Sequence, residues 1–286
     1  MSSRELRVAD LMTRSVSTLS PTQSLPLAEA LMGLERIRHI PVVDDAGKLV
    51  GLVTHRDLLR ARISALAPLS DDERSTLQLS VPVSRIMCTE VWSIAPDALA
   101  VSAARILRDH KFGCLPVVED GKLVGILCEA DLLALVTTSL EAQGSRPMRV
   151  EHAMTPSPVT ITSDTTIPEA RALMERYRVR HLPVVEGGRV VTMVSERELS
   201  VAEVVFSHTE HPSAKRAARL VGRDDILRVR PDVALYRVFR EMFDKRIDAA
   251  LVEDGHRLVG VLSASDACRL LGERSSDEST LSAALA

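Results

Sequence analysis

Apolar and polar positions follow a pattern that occurs four times along the chain. In each copy a short apolar run leads into a segment with apolar residues at helical spacing, in the first copy Leu27, Ala30, Leu31 and Leu34. Two further apolar runs follow, and turn residues such as the Asp-Gly of "EDGK" between them are typical of a β-hairpin. A second amphipathic segment ends the copy. Each copy therefore predicts a small three-stranded sheet with two helices, an α/β (α+β) unit.

Corresponding positions in the four copies keep nearly constant intervals. A methionine opens three copies and a glycine opens the fourth: Met12, Met87, Met154 and Gly222. A glycine, or threonine in the third copy, begins the closing phrase: Gly51, Gly125, Thr192 and Gly260. An acidic residue always follows six positions later: Asp57, Asp131, Glu198 and Asp266. This regularity indicates duplication of one unit, and because one unit is too small to bury its own core, we expect the units to pair.

The gaps between copies suggest two domains. The segment "SLEAQGSRPMR" contains Gly and Pro and makes the best boundary. We expect a first domain at 1–140 and a second at 147–275, followed by a flexible tail at 276–286. The four repeats are placed at about 8–60, 83–135, 150–202 and 218–271.

Composition narrows the possible partners. The chain has 286 residues, 45% of them apolar and 26% charged, as a globular protein does. A net charge of −3 and very few aromatic residues argue against nucleic acid as a partner. No apolar run approaches the roughly 20 residues needed to cross a bilayer, and the first residues contain no signal-peptide core. We expect a cytoplasmic protein with no membrane partner.

Residues for metal binding or covalent chemistry are scattered. The four cysteines, Cys88, Cys114, Cys128 and Cys268, have no Cys-x-x-Cys spacing, which predicts reduced thiols and no zinc site. His208 and His211 lie in a connecting stretch and are interpreted as part of a solvated loop. The repeats and linkers take up the whole chain, and no nucleophile–base arrangement or Gly-x-x-x-x-Gly-Lys loop is present. We therefore expect a protein that is not an enzyme.

Three motifs resemble the CBS domain family. They are the Met-Thr opening ("LMTRSVSTL", "AMTPSPVTI"), the His-x-Pro-Val-Val strand ("HIPVVD", "HLPVVE") and the closing phrase ("GLVTHRD", "GVLSASD"). The resemblance implies that the copies pair into two Bateman modules whose clefts bind adenosine ligands. The layout would be similar to that of the gamma subunit of AMP-activated protein kinase.

The closing phrase permits two interpretations. Thr54 and Asp57 have the spacing of a capping box, in which the hydroxyl and the acid satisfy backbone groups at a helix start. The same groups could instead hold a nucleotide, with Asp57 on the ribose hydroxyls and the helix start near phosphate. The resemblance favours the second interpretation for Asp57 and Asp266.

The copies differ at these positions. Ser263 and Asp266 retain both groups, so repeats 1 and 4 are predicted to be the better sites. Repeat 2 keeps Asp131 but has Cys128, a poor hydrogen-bond donor, in the hydroxyl position. Repeat 3 keeps Ser195 but has the longer Glu198, and Thr192 in place of glycine is predicted to crowd a ligand. The sites of repeats 2 and 3 are therefore weaker candidates.

The resemblance also implies which residues contact phosphate and adenine. Arg38 and His39, with Arg180 and His181 at the matching positions, are the candidate phosphate ligands, and Arg suits phosphate particularly well. Asp248 in repeat 4 would repel phosphate unless an arginine from a neighbouring unit compensates. The candidate adenine contacts in the two better sites are Val16, Thr18, Ile40 and Pro41 in repeat 1, and Ile226, Arg228 and Ala250 in repeat 4.

The expected function is a regulatory sensor of adenine nucleotides, AMP, ADP or ATP, the last with Mg²⁺ if it accompanies the phosphates. Occupancy would change module geometry, and an unknown regulated protein would respond to the change. Other adenosyl ligands (S-adenosylmethionine or cyclic di-AMP) and an interaction scaffold with vestigial clefts remain alternatives. The two modules could close into a disc within one chain, or each could pair with its copy in a homodimer.

Overall fold

The computed structural model describes residues 6–61, 70, 81–142, 147–206, 222 and 226–274. Most of the linker between repeats 1 and 2, the His208 and His211 pair and the predicted tail at 276–286 lie outside these residues. The helices are α1 (Val8–Leu11), α2 (Leu25–Glu35), α3 (His55–Ala61), α4 (Ala100–His110), α5 (Glu129–Glu141), α6 (Ile167–Tyr177), α7 (Glu196–Phe206), α8 (Leu235–Lys245) and α9 (Ala264–Arg274). The strands are β1 (His39–Val43), β2 (Leu49–Thr54), β3 (Cys114–Glu119), β4 (Lys122–Cys128), β5 (Thr155–Pro156), β6 (His181–Glu186), β7 (Arg189–Ser195), β8 (Arg228–Val229), β9 (Ala249–Asp254) and β10 (Arg257–Ser263).

Each repeat is built on an antiparallel hairpin between two helices. The pairs are β1–β2, β3–β4, β6–β7 and β9–β10. The expected third strand lies parallel to the first hairpin strand in every repeat, but it is very short. It is the two-residue β8 in repeat 4 and a single bridge elsewhere, as between Leu19 and Val42. The mixed α and β architecture predicted from the periodicity is thus confirmed.

The first long helix of repeat 1 buries a different face from the one that its leucines suggest. Leu25, Ala28 and Met32 are buried, whereas Leu27 is 39% and Leu34 is 83% exposed. Apolar residues surround this helix on more than one side, so helical spacing alone does not identify its packed face.

Consecutive repeats pair by exchanging their opening segments. Thr13 of repeat 1 bridges Ile126 of repeat 2, and Leu52 of repeat 1 bridges Cys88 of repeat 2. In the same way β5, which opens repeat 3, adds to β10 of repeat 4. Each opening segment therefore completes the sheet of its neighbour.

The exchange explains the glycines of the closing phrase. A Cβ atom at Gly51 would lie 2.5 Å from Met87 Sδ, and one at Gly125 would lie 2.6 Å from Met12 Sδ. Met154 stands against Gly260 in the same way. The glycine therefore makes room for the methionine of the paired repeat.

Repeat 3 reverses this arrangement. Thr192 replaces the glycine, Gly222 replaces the methionine, and the threonine side chain occupies the space where a Cβ of Gly222 would lie. Thr192 is only 4% exposed. The Thr192 side chain thus fills the contact between repeats 3 and 4, and its effect on a ligand stays a prediction.

We expect Thr192 and Gly222 to behave as a compensated pair. Gly222→Ala should lower the free energy of unfolding by about 1–3 kcal/mol, since the added methyl group overpacks the contact. In a Thr192→Gly background the same change should cost less than about 0.5 kcal/mol, because the blocking side chain is gone. Urea unfolding of the four proteins of this double-mutant cycle measures the difference, and additive effects would show that the two residues do not interact.

Repeats 2 and 4 are joined by one apolar core. Helices α4 and α5 pack against α8 and α9, and one buried cluster contains Leu107, Leu132, Phe239 and Cys268 from the two repeats. Repeats 1 and 3 instead have separate buried clusters of their own. Burial of large apolar side chains is the main stabilising contribution in folded proteins, so the contact between repeats 2 and 4 is the stronger connection between the two halves of the chain.

Repeats 1 and 3 meet through α3 and α7, and an ion pair of Arg56 with Glu196 crosses this contact. Arg56 Nη2 lies 2.5 Å from Glu196 Oε2, and within repeat 3 Arg171 Nη1 lies 3.9 Å from the other oxygen of Glu196. A partly exposed ion pair such as Arg56–Glu196 stabilises by less than about 1 kcal/mol. The two halves are therefore connected by an apolar contact on one side and a weaker ionic contact on the other.

Candidate functional site

The acid of the closing phrase caps a helix in all four repeats. The backbone N–H at the hydroxyl position donates to a carboxylate oxygen three residues later. These N···O distances are 2.8 Å for Thr54–Asp57, 2.7 Å for Cys128–Asp131, 2.6 Å for Ser195–Glu198 and 2.7 Å for Ser263–Asp266. The capping interpretation thus describes a contact that is present at α3, α5, α7 and α9.

The four acids have different surroundings. Asp57 is half-buried and also accepts a hydrogen bond from Thr54 Oγ1 at 2.7 Å. Asp266 is 6% exposed; it accepts from Ser263 Oγ at 2.9 Å, and its second oxygen lies 3.4 Å from Arg269 Nη2. Burial raises the pKa of Asp266 and that of Asp131, because a low-dielectric environment disfavours the charged carboxylate.

A cleft lies between repeats 3 and 4. The space along this cleft amounts to about 500 Å³ when the part that is open to solvent is included. Its lining combines the end of β7 and the start of α7 with the segments that precede β8 and β9. The lining residues are His181, Met193, Ser195, Arg197, Glu198, Ile226, Leu227, Ile247, Asp248 and Ala249.

The polar groups of this cleft come mainly from repeat 3. Ser195 and Glu198 stand at the start of α7, and the exposed Arg197 lies between them in sequence. Among the residues that the structure describes, the Arg197 guanidinium has no hydrogen-bond or ion-pair partner. The cleft thus offers a hydroxyl, a carboxylate and an available cation beside apolar walls. Arg197 was not predicted from the sequence, although its position between the hydroxyl and the acid of the closing phrase could have indicated a role in the cleft.

Burial and the positive charges of Arg38 and Arg180 together lower the pKa of His39 and that of His181 to about 4. This direction favours neutral imidazoles near pH 7, which would not add positive charge toward a phosphate. Each imidazole can still donate or accept a hydrogen bond.

The two candidate phosphate arginines form ion pairs with residues of other repeats. Arg38 Nη1 lies 2.5 Å from Asp248 Oδ2, so the arginine of repeat 1 compensates the acid of repeat 4. Arg180 Nη2 lies 2.9 Å from both oxygens of Glu129 and 2.6 Å from Ser265 Oγ. Arg38 thus connects repeat 1 to repeat 4, and Arg180 connects repeat 3 to repeats 2 and 4. Each arginine directly precedes a half-buried histidine in the sequence. Glu129 and Ser265 carried no signal in the sequence, because their partners come from other repeats.

Ile40 and Ala250 were predicted to contact adenine, and the structure places both in the apolar core. Both are 0% exposed, and both belong to apolar clusters that include residues of their helices. Successive residues of a strand point to opposite faces, so the neighbouring Ala249, and not Ala250, lines the cleft. Pro41 is buried as well, while Val16 is half-buried and Thr18 is exposed.

The predicted grouping within repeat 4 also changes. Ile226 lies in the cleft with Ser195 and Glu198 of repeat 3, and not with Ser263 and Asp266 of its own repeat. Arg228 does not line this cleft. Its guanidinium lies 2.7 Å from Glu253 Oε1 and donates to the carbonyl oxygen of Val190 at 3.2 Å. The cleft is therefore assembled across a repeat pair, with the closing phrase of one repeat facing the opening segment of the next.

The described residues contain neither a candidate metal site nor a candidate membrane span. No group of three or more His, Cys, Asp or Glu side chains is placed to hold a metal ion within those ranges. Likewise, none of the helices in the described parts of the chain has both the length and the apolar character needed to span a membrane.

Comparison with known proteins identifies relatives that contain the same repeats. The CBS domain-containing protein YhcV of Bacillus subtilis is 34% identical over 145 residues, which are 51% of this chain and 95% of that protein. Homoserine O-acetyltransferase of Methanohalophilus mahii is 33% identical over 132 residues, but the match spans only 24% of that enzyme. Because the shared part is about a quarter of the enzyme, its activity does not transfer to this chain.

A solved structure shares the fold over most of the chain. The protein MJ1225 of Methanocaldococcus jannaschii, proposed as an archaeal homolog of g-AMPK, superposes with a TM-score of 0.72. The superposition covers 93% of this chain and 99% of that protein at 20% sequence identity. At this level of identity the likeness establishes the four-repeat fold alone.

The model of the CBS domain family matches residues 8–64, 83–137, 150–204 and 218–273. These stretches make up most of the chain and contain the four hairpins with their helices. The chain therefore belongs to the CBS domain family and carries four copies of the domain.

Proposed function

We propose that this protein is a regulatory sensor that binds an adenine nucleotide, AMP, ADP or ATP, in clefts between paired repeats. The observation that supports this function best is the cleft between repeats 3 and 4. It joins a hydroxyl, an acid and Arg197, whose guanidinium has no partner among the described residues, to apolar walls formed by Ile226 and Leu227. The division into Bateman modules at 1–140 and 147–275 is part of the proposal.

The chemistry of this cleft suits a nucleoside with phosphate. A carboxylate such as that of Glu198 can accept from ribose hydroxyls, and an arginine can bind phosphate oxygens through two parallel hydrogen bonds. A neutral His181 can form a hydrogen bond with the ligand, and it does not repel the positive charges of Arg180 and Arg38. If ATP is the ligand, Mg²⁺ would accompany its phosphates, as this ion usually does at nucleotide sites.

Glu198 and Asp248 favour a second candidate, S-adenosylmethionine. Both acids line the same cleft as Arg197, and a carboxylate attracts the positive sulfonium of that ligand. Asp248 is already paired with Arg38, however, and Glu198 accepts the N–H of Ser195 at the start of α7. The adenine nucleotide is therefore the first choice.

The signal to a regulated protein would come from a change in the angle between the modules. We assign the apolar contact of repeats 2 and 4 as the hinge, because it contains the shared core. The ionic contact of repeats 1 and 3 would open or close, because Arg56 and Glu196 can exchange partners at little cost in free energy. A ligand drives this motion only if it binds one arrangement more tightly than the other.

Arg197→Ala tests the phosphate contact in the cleft. Loss of one charge-assisted hydrogen bond should weaken ATP binding about tenfold or more, while adenosine binding should change less than about twofold. Arg189→Ala is the matched control, since Arg189 lies at the other end of β7 and outside the cleft lining. Titration calorimetry with ATP and adenosine gives both constants. Equal losses for the two ligands would show that Arg197 only maintains the shape of the cleft.

A further inference from the structure

Two cysteines face each other across the hairpin of repeat 2. Cys114 begins β3, Cys128 ends β4, and the two are direct partners in the antiparallel register. Their thiols are free, and a negative charge on Cys128 raises the pKa of Cys114, which reflects their proximity. The pair could not be predicted from the sequence, because only the register of the hairpin brings the residues together.

The hydrogen-bond pattern shows which kind of pair they form. The N–H of Glu129 donates to the carbonyl oxygen of Gly113 at 3.1 Å, so the neighbouring pair is hydrogen-bonded. Hydrogen-bonded and non-hydrogen-bonded pairs alternate along an antiparallel ladder, which makes Cys114–Cys128 a non-hydrogen-bonded pair. The Cα atoms of such pairs are about 4.5 Å apart, at the short end of the range of about 4.4–6.8 Å that a disulfide spans.

The same pair of positions has another composition in each of the other repeats. It holds His39 and Thr54 in repeat 1, His181 and Ser195 in repeat 3, and Ala249 and Ser263 in repeat 4. His181 and Ser195 both line the cleft between repeats 3 and 4. Repeat 2 thus places two thiols where repeat 3 places the histidine and the hydroxyl of its cleft.

The geometry points to Cys114 and Cys128 as a modification site, a thiol pair that closes reversibly into a cross-strand disulfide. The oxidant is a small-molecule disulfide such as oxidised glutathione. A disulfide at the short end of the Cα range is readily reduced again, so the site can cycle between the two states.

The exchange proceeds in two steps. Cys128 is half-buried and Cys114 is 4% exposed, so the Cys128 thiolate attacks first and releases one glutathione thiolate. The Cys114 thiolate then attacks the Cys128 sulfur of the mixed disulfide and releases the second glutathione. Two electrons pass from the cysteines to the oxidant, and the two protons of the cysteine thiols are taken up by the departing glutathione thiolates.

The environment makes this exchange slow at neutral pH. Burial raises the pKa of Cys128 to about 12 and raises the pKa of Cys114 well above its usual value. Few thiolates are therefore present at pH 7. Because the thiolate is the attacking species, the rate should rise roughly tenfold per pH unit between pH 7 and 9.

The test uses the full chain with the exposed Cys88 replaced by serine, treated with oxidised glutathione at pH 8.5. We expect complete loss of two free thiols and a disulfide-linked peptide that contains Cys114 and Cys128, found by mass spectrometry after proteolysis. Addition of dithiothreitol should restore both thiols. Cys114→Ser in the same background should instead accumulate glutathione on Cys128.

Two results would overturn the proposal. In the first, Cys114 and Cys128 of the parent chain both remain thiols under the conditions that fully glutathionylate Cys128 in the Cys114→Ser control. In the second, the linked peptide joins Cys268 to either cysteine, and the register of β3 and β4 does not determine the pairing.

Discussion

Replacing Phe239 by alanine is expected to lower the free energy of unfolding by about 3–5 kcal/mol, the usual cost of removing a buried aromatic side chain. Phe239 is 0% exposed and belongs to the core that repeats 2 and 4 share. Its loss should also separate the two halves of the chain, because the other described connections between them include ion pairs such as Arg56–Glu196 and Arg38–Asp248, which stabilise less than a shared apolar core. Urea unfolding should therefore change from one transition to two.

Phe243→Ala provides the matched control. Phe243 lies one turn further along α8 and is 44% exposed, so its replacement should change the free energy of unfolding by less than about 1 kcal/mol. Equal losses for the two variants, or a single transition that persists in Phe239→Ala, would contradict the assignment of a shared core as the hinge.

Saturation with the proposed nucleotide should raise the melting temperature by about 5–10 °C. A ligand at 100 times its dissociation constant stabilises the folded state by about 2.7 kcal/mol, and each kcal/mol corresponds to roughly 2–4 °C in a domain of this size class. The double variant Asp57→Asn, Asp266→Asn should lose the part of this shift that comes from the sites of repeats 1 and 4, because an amide cannot accept both ribose hydroxyls as a carboxylate does.

Without ligand, the same double variant should melt within a few degrees of the parent protein. The amide oxygen can still accept from the N–H of Thr54 or Ser263, and a neutral group at position 266 avoids the burial cost that raises the pKa of Asp266. Asp10→Asn is the capping control, since Asp10 accepts from the N–H of Arg7 at the start of α1 in the same way. If the double variant melts much lower while its ligand-induced shift survives, both aspartates are caps and not ligand contacts.

The repeat intervals predicted the number of units and the order of their elements because each hairpin and helix is encoded locally. They could not predict which repeats share a core. Phe239 reads as one more apolar position of an amphipathic helix, and only the arrangement of the repeats brings it against Leu107 and Leu132. The compensation between Thr192 and Gly222 was hidden for the same reason, although both departures from the pattern were visible in the sequence.

The cleft was predicted less well than the fold. The strand "IPVVD" is apolar along most of its length, and such a run does not show which residues face the helices and which face the cleft. The pattern therefore did not show that Ile40 and Ala250 face the apolar clusters. Arg197 and the ion pair of Arg180 with Glu129 depend on contacts across repeats, which intervals along the chain do not contain.

Equilibrium dialysis of the full chain against labelled AMP, ATP and S-adenosylmethionine tests the central claim most directly, since it detects binding whatever its enthalpy. We expect saturable retention of AMP or ATP by the protein, competition between the two nucleotides, and weaker retention of ATP by Arg197→Ala. If none of the three ligands is retained above the buffer level at concentrations up to the millimolar range, the protein is not a sensor of adenine nucleotides.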